Sequence, residues 1–311
     1  MGVGTGQTGC WLRLTAAKQA LFRFVLQHIG LPPDALKQDF DSLYVARVLE
    51  LVRGSSLDAA VILAMDHVYD SDGNHEPRRE IFHVPNDYVL RLARSYPEFI
   101  PAVSIHPARR DALDELEKCV AGGAAMLKLL PLYQNVDCNN PRYGKFWERM
   151  AQFNLPLLVH TGGEHTVPNN APHLRDPHIA DLPLKCGVTV IAAHCASKSG
   201  LFDPDHIDIL SEMMQRHERL YADNSAFNIP FRSRAFHPSL KEPIVSRLVH
   251  GSDFPVFIYS HWAWLRGLID YRTFRRCERE ANVIERDYQI KRAAGFPETV
   301  FTRLAGLLRS A

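Results

Sequence analysis

The chain has 311 residues, a hydrophobic fraction of 46% and a formal net charge of +1. This length fits one α/β barrel of roughly 250 residues with extensions. The balanced charge gives no reason to expect nucleic acid or an anionic membrane as a partner. No apolar run approaches the roughly 20 residues that span a bilayer, and the first residues, MGVGTGQTGCW, do not have the pattern of a signal peptide.

The six cysteines are scattered and form no CxxC pair. A chain of this size does not depend on disulfide bonds, so we expect reduced thiols and a cytoplasmic location. These cysteines are Cys10, Cys119, Cys138, Cys186, Cys195 and Cys277.

Two helices are predicted before the first strand. Residues 15–29 carry apolar side chains at helical spacing, with Thr15 as the N-cap and Gly30 just after the end. A second helix is predicted at about 40–53, ended by Gly54. We expect a single domain with an N-terminal helical segment at 1–55, a barrel core at 56–260 and C-terminal helices at 261–311, the last opened by Pro297 and packed outside the barrel.

Seven short apolar runs alternate with helical patterns. Strands that are apolar on both faces and alternate with helices are typical of a parallel sheet covered by helices. In the helical pattern DPDHIDILSEMMQRH, Asp203 is the expected N-cap and Pro204 the first helical residue. The apolar runs are at 57–65, 99–106, 124–130, 156–161, 188–194, 219–224 and 246–253.

Three of these runs end in a residue that can bind a metal. LPLLVHTGG carries His160, VTVIAAHC carries His194 and SRLVHGSDFP carries Asp253. An open doubly wound sheet remains an alternative, but such residues at successive strand ends favour a (β/α)₈ TIM barrel, whose active site forms at this face. Imidazole and carboxylate ligands suit a divalent ion such as Zn²⁺. Taken singly, each residue is more often a structural histidine or a turn cap, and the repetition is what favours a site.

Lys128 interrupts the apolar run AAMLKLLP. Because a buried ammonium group is costly, this side chain is expected to reach solvent, to pair with a carboxylate such as Asp253, or to be chemically modified. Candidate substrate contacts lie in the loops that follow the strands: His106, Glu164, His165, Asn224, Arg232 and Arg234. The two arginines suit a substrate carboxylate.

The segment DHVYDSDGNHEPRRE at 66–80 contains a D-S-D-G-N run. This run is reminiscent of a calcium loop, but the terminal glutamate and the flanking helix pair of such a loop are missing. We therefore interpret the segment as a polar active-site loop.

LPLLVHTG, VTVIAAHC, the strand before YADNSAF and LVHGSDFP together resemble the amidohydrolase-related metal-dependent hydrolases of family 2, which have a TIM-barrel fold. The resemblance runs from about residue 40 to residue 260. It implies that His160, His194 and Asp253 are metal or catalytic residues, with His194 either a ligand or an aid to substrate. Lys128 corresponds to the lysine that is carbamylated in binuclear members and bridges their two metals.

One family feature is missing from this sequence. The family begins with a strand ending in His-x-His, which supplies two ligands, whereas the first histidine here, His28, lies in a helical pattern. We expect that residues preceding Met1 are missing. The alternative is that the chain has lost metal-dependent chemistry.

The predicted function is a metal-dependent hydrolase of a small molecule. A divalent ion, with Zn²⁺ favoured, would activate water against an amide, ester or lactone bond, with Asp253 as proton shuttle and His194 polarising the carbonyl or binding metal. One alternative is a non-oxidative decarboxylase of an aromatic or unsaturated acid. Another is a catalytically inactive barrel that acts as a binding or assembly subunit. No nucleic-acid or membrane partner is expected, and a homodimer is left open.

Overall fold

The structure is a computed structural model that describes residues 8–309. Seven of its strands form one parallel sheet, and two very short strands form a separate antiparallel pair. In chain order the strands are β1 (Trp11–Leu12), β2 (Ala60–Leu63), β3 (Phe82–His83), β4 (Phe99–Val103), β5 (Met126–Leu129), β6 (Leu157–Val159), β7 (Val190–Ala192), β8 (Leu220–Asp223) and β9 (Leu248–Val249).

The parallel sheet has the strand order β2-β4-β5-β6-β7-β8-β9 and the curled form of a TIM barrel. Each of the seven predicted apolar runs contains one of these strands, so the predicted (β/α)₈ class is confirmed. β2 and β9 are the two edges, and no eighth strand joins them within residues 8–309. The β1–β3 pair was not predicted, because two residues per strand leave no periodic pattern to recognise.

The helices cover the sheet and extend beyond it. Thr15 caps the first helix as predicted, accepting from the Lys18 amide, and the second helix ends at Gly54 as predicted. The helices are α1 (Ala16–His28), α2 (Phe40–Arg53), α3 (Asn86–Ser95), α4 (Ala112–Ala121), α5 (Pro131–Gln134), α6 (Gly144–Gln152), α7 (Asp181–Lys185), α8 (Ile207–Arg216), α9 (Phe236–Ser239), α10 (His261–Leu265), α11 (Tyr271–Arg279), α12 (Val283–Ala293) and α13 (Glu298–Thr302).

The predicted start of α8 is wrong. The helix begins at Ile207, with His206 rather than Asp203 at the N-cap position. The Asp203 carboxylate instead accepts hydrogen bonds from the amides of Ser199 and Gly200 and contacts His165 Nε2 at 2.8 Å. Its hydrogen-bonding capacity is therefore used to close the loop before the helix.

The strands divide their side chains between two hydrophobic clusters. Alternate residues point to opposite faces of a strand, and the smaller cluster contains the inward set: Ala102, Met126, Ile191 and Val249, with Val61, Leu63, Leu158 and Tyr221 beside them. Lys128 follows Met126 by two residues and shares this inward direction. The same period makes positions 160, 223 and 253 inward, so the polar residues at the strand ends lie above an apolar barrel floor.

The segment that follows α13 closes this floor from below. Leu304, Leu307 and Leu308 pack against the inward cluster. The Arg309 amide donates to the Ala125 carbonyl at 3.1 Å, which anchors the segment beside β5. Among the described helices, none is long and apolar enough to cross a membrane.

Candidate active site

Two buried histidines meet at the ends of neighbouring strands. His160 follows β6 and His194 follows β7, and these strands are paired in register through Val159 and Ala192. His194 Nε2 lies 3.2 Å from His160 Nδ1, and the ring centroids are 4.8 Å apart. Burial lowers the pKa of His194 well below its ordinary value and lowers that of His160 to about 3. Both rings are therefore neutral at physiological pH.

A left-handed turn directs the second imidazole to the first. The strand period would make Ala193 inward and His194 outward, as Ile191 is inward. Instead His194, Cys195 and Ala196 all have positive φ, of 60°, 50° and 52°. Non-glycine residues in this region cost of order 1–3 kcal/mol each and cluster at functional sites. The strained turn rotates His194 into contact with His160.

A hydrogen-bond relay holds His194 from its other side. His194 Nδ1 lies 2.7 Å from Ser225 Oγ and 3.2 Å from the Ser225 carbonyl oxygen. The Ser225 hydroxyl makes a short hydrogen bond to Asp223 Oδ1, which also accepts from the His194 amide at 2.7 Å. Since the hydroxyl proton is directed to Asp223 and the Ser225 carbonyl only accepts, we infer that Nδ1 of His194 carries its proton.

This tautomer determines the state of His160. An unprotonated His194 Nε2 must accept from His160 Nδ1, which leaves a lone pair on His160 Nε2. Two oxygen atoms face that nitrogen: the Gly163 carbonyl at 3.4 Å and Glu164 Oε2 at 3.8 Å. The inferred network therefore places a nitrogen lone pair and a carboxylate side by side, without a proton between them.

The possible metal ligands around His160 supply only part of the coordination that a divalent cation needs. An unprotonated imidazole and a carboxylate are ligands that suit Zn²⁺ and its neighbours. However, no group of three histidine, cysteine or acidic ligand atoms within 4.8 Å of one another includes His160 in residues 8–309. His160 and Glu164 would thus hold such an ion together with ligands from outside this pair, and the predicted set of His160, His194, Asp253 and Lys128 remains a prediction.

Two buried cations face the same interior. Arg232 donates to the Gly163 carbonyl at 2.5 Å and to the Ser197 carbonyl at 3.1 Å, which ties the loops after β6 and β7 together. Burial lowers the pKa of Arg232 and of Lys128, and the surrounding carboxylates oppose this effect. These carboxylates are Asp223, Asp253 and Glu164.

Asp253 has the features of a proton-transfer group. It follows β9 with a φ of 62°, again in the left-handed region. Enclosure among protein atoms raises the pKa of its carboxyl to about 7, with Glu164 adding to the rise and Arg232 and Lys128 opposing it. The residue nevertheless remains open to solvent.

The other predicted contacts differ in their placement. His106 is fully buried: its Nε2 lies 3.1 Å from the Gln134 carbonyl and its Nδ1 accepts from the Ala108 amide, so neither ring nitrogen is free. His165 is exposed beside Asp203. Asn224 is buried, with Nδ2 lacking a hydrogen-bond partner among the described residues. Arg232 is buried and Arg234 is exposed, and the predicted contact of the two with a substrate carboxylate stays a prediction.

The glycines after His160 permit close loop packing. Gly162 has a φ of 79°, and a Cβ there would overlap the Ser197 carbonyl oxygen. At Gly163 a Cβ would overlap the carboxylate of Asp203. These glycines therefore allow the loop that follows His194 to approach closely.

Two groups of residues in and near the site were not predicted from the sequence. Ser225 and Asp223 orient His194, and only the position of Asp223 at the end of a predicted strand pointed to it. His67, His75 and Glu80 bring three metal-type ligand atoms within 4.8 Å of one another in the loop after β2. Their spacing matches no familiar motif, although the abundance of histidine in the 66–80 segment was a signal.

The fold is shared with several solved structures. An uncharacterised TIM-barrel protein from Bordetella bronchiseptica matches with a TM-score of 0.56 and 16% identity, over 90% of this chain and 92% of that one. A probable 2-pyrone-4,6-dicarboxylic acid hydrolase from Acinetobacter baumannii gives 0.52 and 16%, over 84% and 88%. A 5-carboxyvanillate decarboxylase from Sphingomonas paucimobilis gives 0.53 and 12%, over 85% and 82%.

At this level of identity the structural matches establish the fold alone. No curated protein sequence matches the chain significantly. A family model described as amidohydrolase matches residues 52–270, from the end of α2 to the loop before α11. That range includes β2, β4–β9, His160, His194 and Asp253, and so the chain belongs to the amidohydrolase family.

Proposed function

We propose that this chain is a hydrolase that opens a lactone, ester or amide bond in a small molecule bearing a carboxylate. The observation that carries the proposal is that positively and negatively charged side chains lie together around the neutral pair of His160 and His194. Arg232 and Lys128 are buried cations, and the pKa of Asp253 is raised to about 7 in the same surroundings. The cations favour an anionic substrate, and the carboxyl can exchange a proton near neutral pH.

Hydrolysis here requires one proton to be moved twice. The oxygen of water bonds to the acyl carbon while Asp253 accepts a water proton. The bond from the acyl carbon to the leaving oxygen or nitrogen then breaks, and Asp253 returns the proton to that leaving atom. The ammonium of Lys128 is suited to stabilise the negative charge that develops on the carbonyl oxygen. Arg232, which joins two loops of the site, is suited to orient the substrate carboxylate.

The histidine pair supplies a neutral metal ligand, the Nε2 lone pair of His160, in a fixed orientation. Ser225 and Asp223 hold His194, and His194 in turn orients His160, so that Nε2 of His160 faces the interior with its lone pair free. A divalent cation held by this nitrogen and the Glu164 carboxylate, with Zn²⁺ favoured, would lower the pKa of a bound water towards about 7.

The comparison with the Acinetobacter protein supports an acidic substrate. That protein is described as a probable hydrolase of a pyrone dicarboxylic acid and was solved with citric acid bound. We extend only the chemical class to this chain, a small molecule with more than one carboxylate. Arg232 and Lys128 are two cations available to such a molecule, with Asp223, Asp253 and Glu164 as their present counter-charges.

Decarboxylation is the second candidate, and the raised pKa of Asp253 favours it specifically. When the bond between the carboxylate carbon and the substrate breaks, CO₂ leaves and its electron pair stays on the substrate carbon. A protonated Asp253 can supply the proton to that carbon. The Sphingomonas protein of similar fold is a 5-carboxyvanillate decarboxylase.

A substrate screen with two readouts tests both candidates. The purified chain, as prepared and with added Zn²⁺, is incubated with pyrone carboxylic acid lactones, carboxylated esters and amides, and aromatic carboxylic acids. Acid release indicates hydrolysis, and CO₂ release indicates decarboxylation. Either activity should be lost in Asp253→Asn and retained in Asp72→Asn, whose side chain is highly exposed. Absence of both activities across the panel would contradict the proposal and favour the inactive, binding barrel.

A further inference from the structure

We propose that His67, His75 and Glu80 bind a divalent transition-metal ion of the Zn²⁺ class, at a site separate from the histidine pair in the barrel. We call these three residues the rim cluster. They belong to the segment between β2 and β3, which follows the carboxyl end of β2. In sheet order β2 lies three strands from β6, which is about 14 Å measured along the curled sheet at the usual strand spacing.

The distances within the rim cluster are close to those of a coordination shell. His67 Nδ1 lies 3.2 Å from Glu80 Oε1 and 3.3 Å from Oε2, and His75 Nε2 lies 2.8 Å from Oε1. Neighbouring ligands of a tetrahedral Zn²⁺, with metal–ligand bonds near 2.1 Å, are about 3.4 Å apart. The His67–Glu80 distances lie within about 0.2 Å of this value, and His75 must move away from Glu80 by about 0.6 Å to match it.

The ligand types select the class of metal. Two imidazoles and one carboxylate suit Zn²⁺, Ni²⁺, Cu²⁺ or Fe²⁺. Ca²⁺ and Mg²⁺ require mainly oxygen ligands, which this cluster does not offer. The D-S-D-G-N run between the ligands has another role, because the Asp70 carboxylate accepts from the amides of Asp72 and Asn74.

The surroundings hold the three ligands in place. Glu80 is almost fully buried and accepts from the Val68 amide at 2.7 Å, which fixes one carboxylate oxygen. The His67 ring stacks on His83 with 3.8 Å between centroids and 7° between planes. After Glu80, the Ile81 amide donates to Tyr133 Oη at 2.9 Å and ties the segment to α5.

An ion can reach the cluster and exchange its remaining ligands. The side chains of His67 and His75 are 28% and 42% exposed. His67 also lines a cavity of about 210 Å³ together with Asp66, His83 and Arg109. Three protein ligands beside a solvent-filled cavity leave a coordination position for water or a small anion, as open zinc sites do.

Zn²⁺ binding by the full chain tests this site without any substrate. Stoichiometry and affinity are measured by competition with a chromophoric chelator for the wild type, His75→Ala, His160→Ala and His178→Ala. His178 is the matched control, because its side chain is 46% exposed and lies 3.4 Å from a single carboxylate, that of Asp181. Thermal unfolding with and without Zn²⁺ shows whether each variant folds and whether the ion stabilises it.

We expect His75→Ala to lose one Zn²⁺ equivalent, with affinity at that site reduced more than about 100-fold, since losing even an outer-shell partner costs 10–100-fold. His178→Ala and His160→Ala should retain that equivalent. Glu80→Gln should weaken the same site, which guards against a folding defect specific to one variant. Equal binding by the wild type and His75→Ala, or no binding by a folded wild type, would overturn the inference and leave a hydrogen-bonded structural cluster. Loss of binding in His160→Ala alone would instead support the barrel site and reject the rim cluster.

Discussion

We call His160 and His194 the barrel pair. The barrel pair, beside Glu164, and the rim cluster both place histidines next to a carboxylate, but they differ in where their residues come from and in how exposed those residues are. His160 and His194 come from two strands and are almost fully buried. His67, His75 and Glu80 come from one loop, and both histidines there are partly exposed. Burial keeps the barrel histidines neutral, with the pKa of His160 near 3, and places them beside buried cations. His67 of the rim cluster instead borders a cavity that the Asp66–Arg109 ion pair also lines.

The difference indicates that similar side chains serve different purposes at the strand ends inside the barrel and in a loop at its rim. Strand ends are held rigidly by the sheet. A strained turn there can keep buried charged side chains in an unfavourable arrangement that substrate binding relieves. A loop on the rim is accessible and can adjust by the small distances that metal coordination requires. We therefore propose that the barrel pair serves the substrate reaction and that the rim cluster holds a separate ion.

The largest expected effect concerns Asp253 in the barrel. Asp253→Asn keeps the size of the side chain and removes its proton transfer, which is worth about 10²–10⁴-fold in rate. We expect kcat to fall within that range in the assay established by the substrate screen. The control Asp72→Asn should leave kcat unchanged. A loss of less than threefold in Asp253→Asn would mean that the proton passes through another group.

The pH profile should separate the two candidate reactions. If Asp253 acts as a base in hydrolysis, kcat rises with pH up to a pKa of about 7 and then levels. If it acts as an acid in decarboxylation, kcat is level below that pKa and falls above it. Each predicts about a tenfold change per pH unit on the sloping side. A flat profile between pH 5 and 9 would contradict both roles.

The same raised pKa predicts a stability effect of definite sign. The native state retains a proton that the unfolded state releases between about pH 4 and pH 7. The contribution of Asp253 to the free energy of unfolding therefore decreases as pH rises through that window. Asp253→Asn should remove this decrease. The melting temperature of the variant minus that of the wild type should therefore increase from pH 5 to pH 8. Parallel curves would show that the carboxyl titrates normally.

Arginine replacements test the buried charge of the barrel. Arg232→Met leaves the Gly163 carbonyl oxygen without its arginine donor, whereas the Ser197 carbonyl oxygen keeps its hydrogen bond from the Gly163 amide. We expect a loss of about 1–3 kcal/mol in the free energy of unfolding, the cost of one unpaired buried group. Arg234→Met, at an exposed position, should change it by less than about 0.5 kcal/mol. Denaturant titration measures both, and equal effects would contradict the assigned positions.

Glycine replacements test the loop packing around His160. Gly162→Ala adds a Cβ that overlaps the Ser197 carbonyl, in addition to the cost of its positive φ. We expect about 2–4 kcal/mol of destabilisation. Gly123→Ala has a similar φ of 95° with nothing within 4 Å of its Cβ, and should cost only about 1–2 kcal/mol. The difference between the two isolates the close contact between the loops.

The sequence predicted what depends on periodicity and strand direction. All seven barrel strands and the inward placement of positions 160 and 253 follow from short apolar runs in a parallel sheet. The contact of His194 with His160 was not derivable in this way, because the strand period alone points His194 outward. Its three-residue left-handed turn depends on tertiary contacts, including the hydrogen bond to Asp223.

Other features depended on packing that no local pattern encodes. Arg232 and Arg234 look equivalent in the sequence, and the short turn between Arg232 and Ala235 buries one and exposes the other. The rim cluster forms because the loop reverses at Gly73, where a Cβ would overlap the Ala108 carbonyl. The closure of the barrel floor by Leu304, Leu307 and Leu308 likewise joins residues far apart in the chain.

The most direct test of the central claim, that the barrel pair carries the reaction, is the kcat/KM of His194→Ala beside that of His178→Ala on the substrate from the screen. Because His194 orients His160, we predict a loss of about 10–100-fold for His194→Ala and less than twofold for the exposed His178→Ala. Comparable activity of His194→Ala and the wild type, with both folded, would contradict the assignment of the active site.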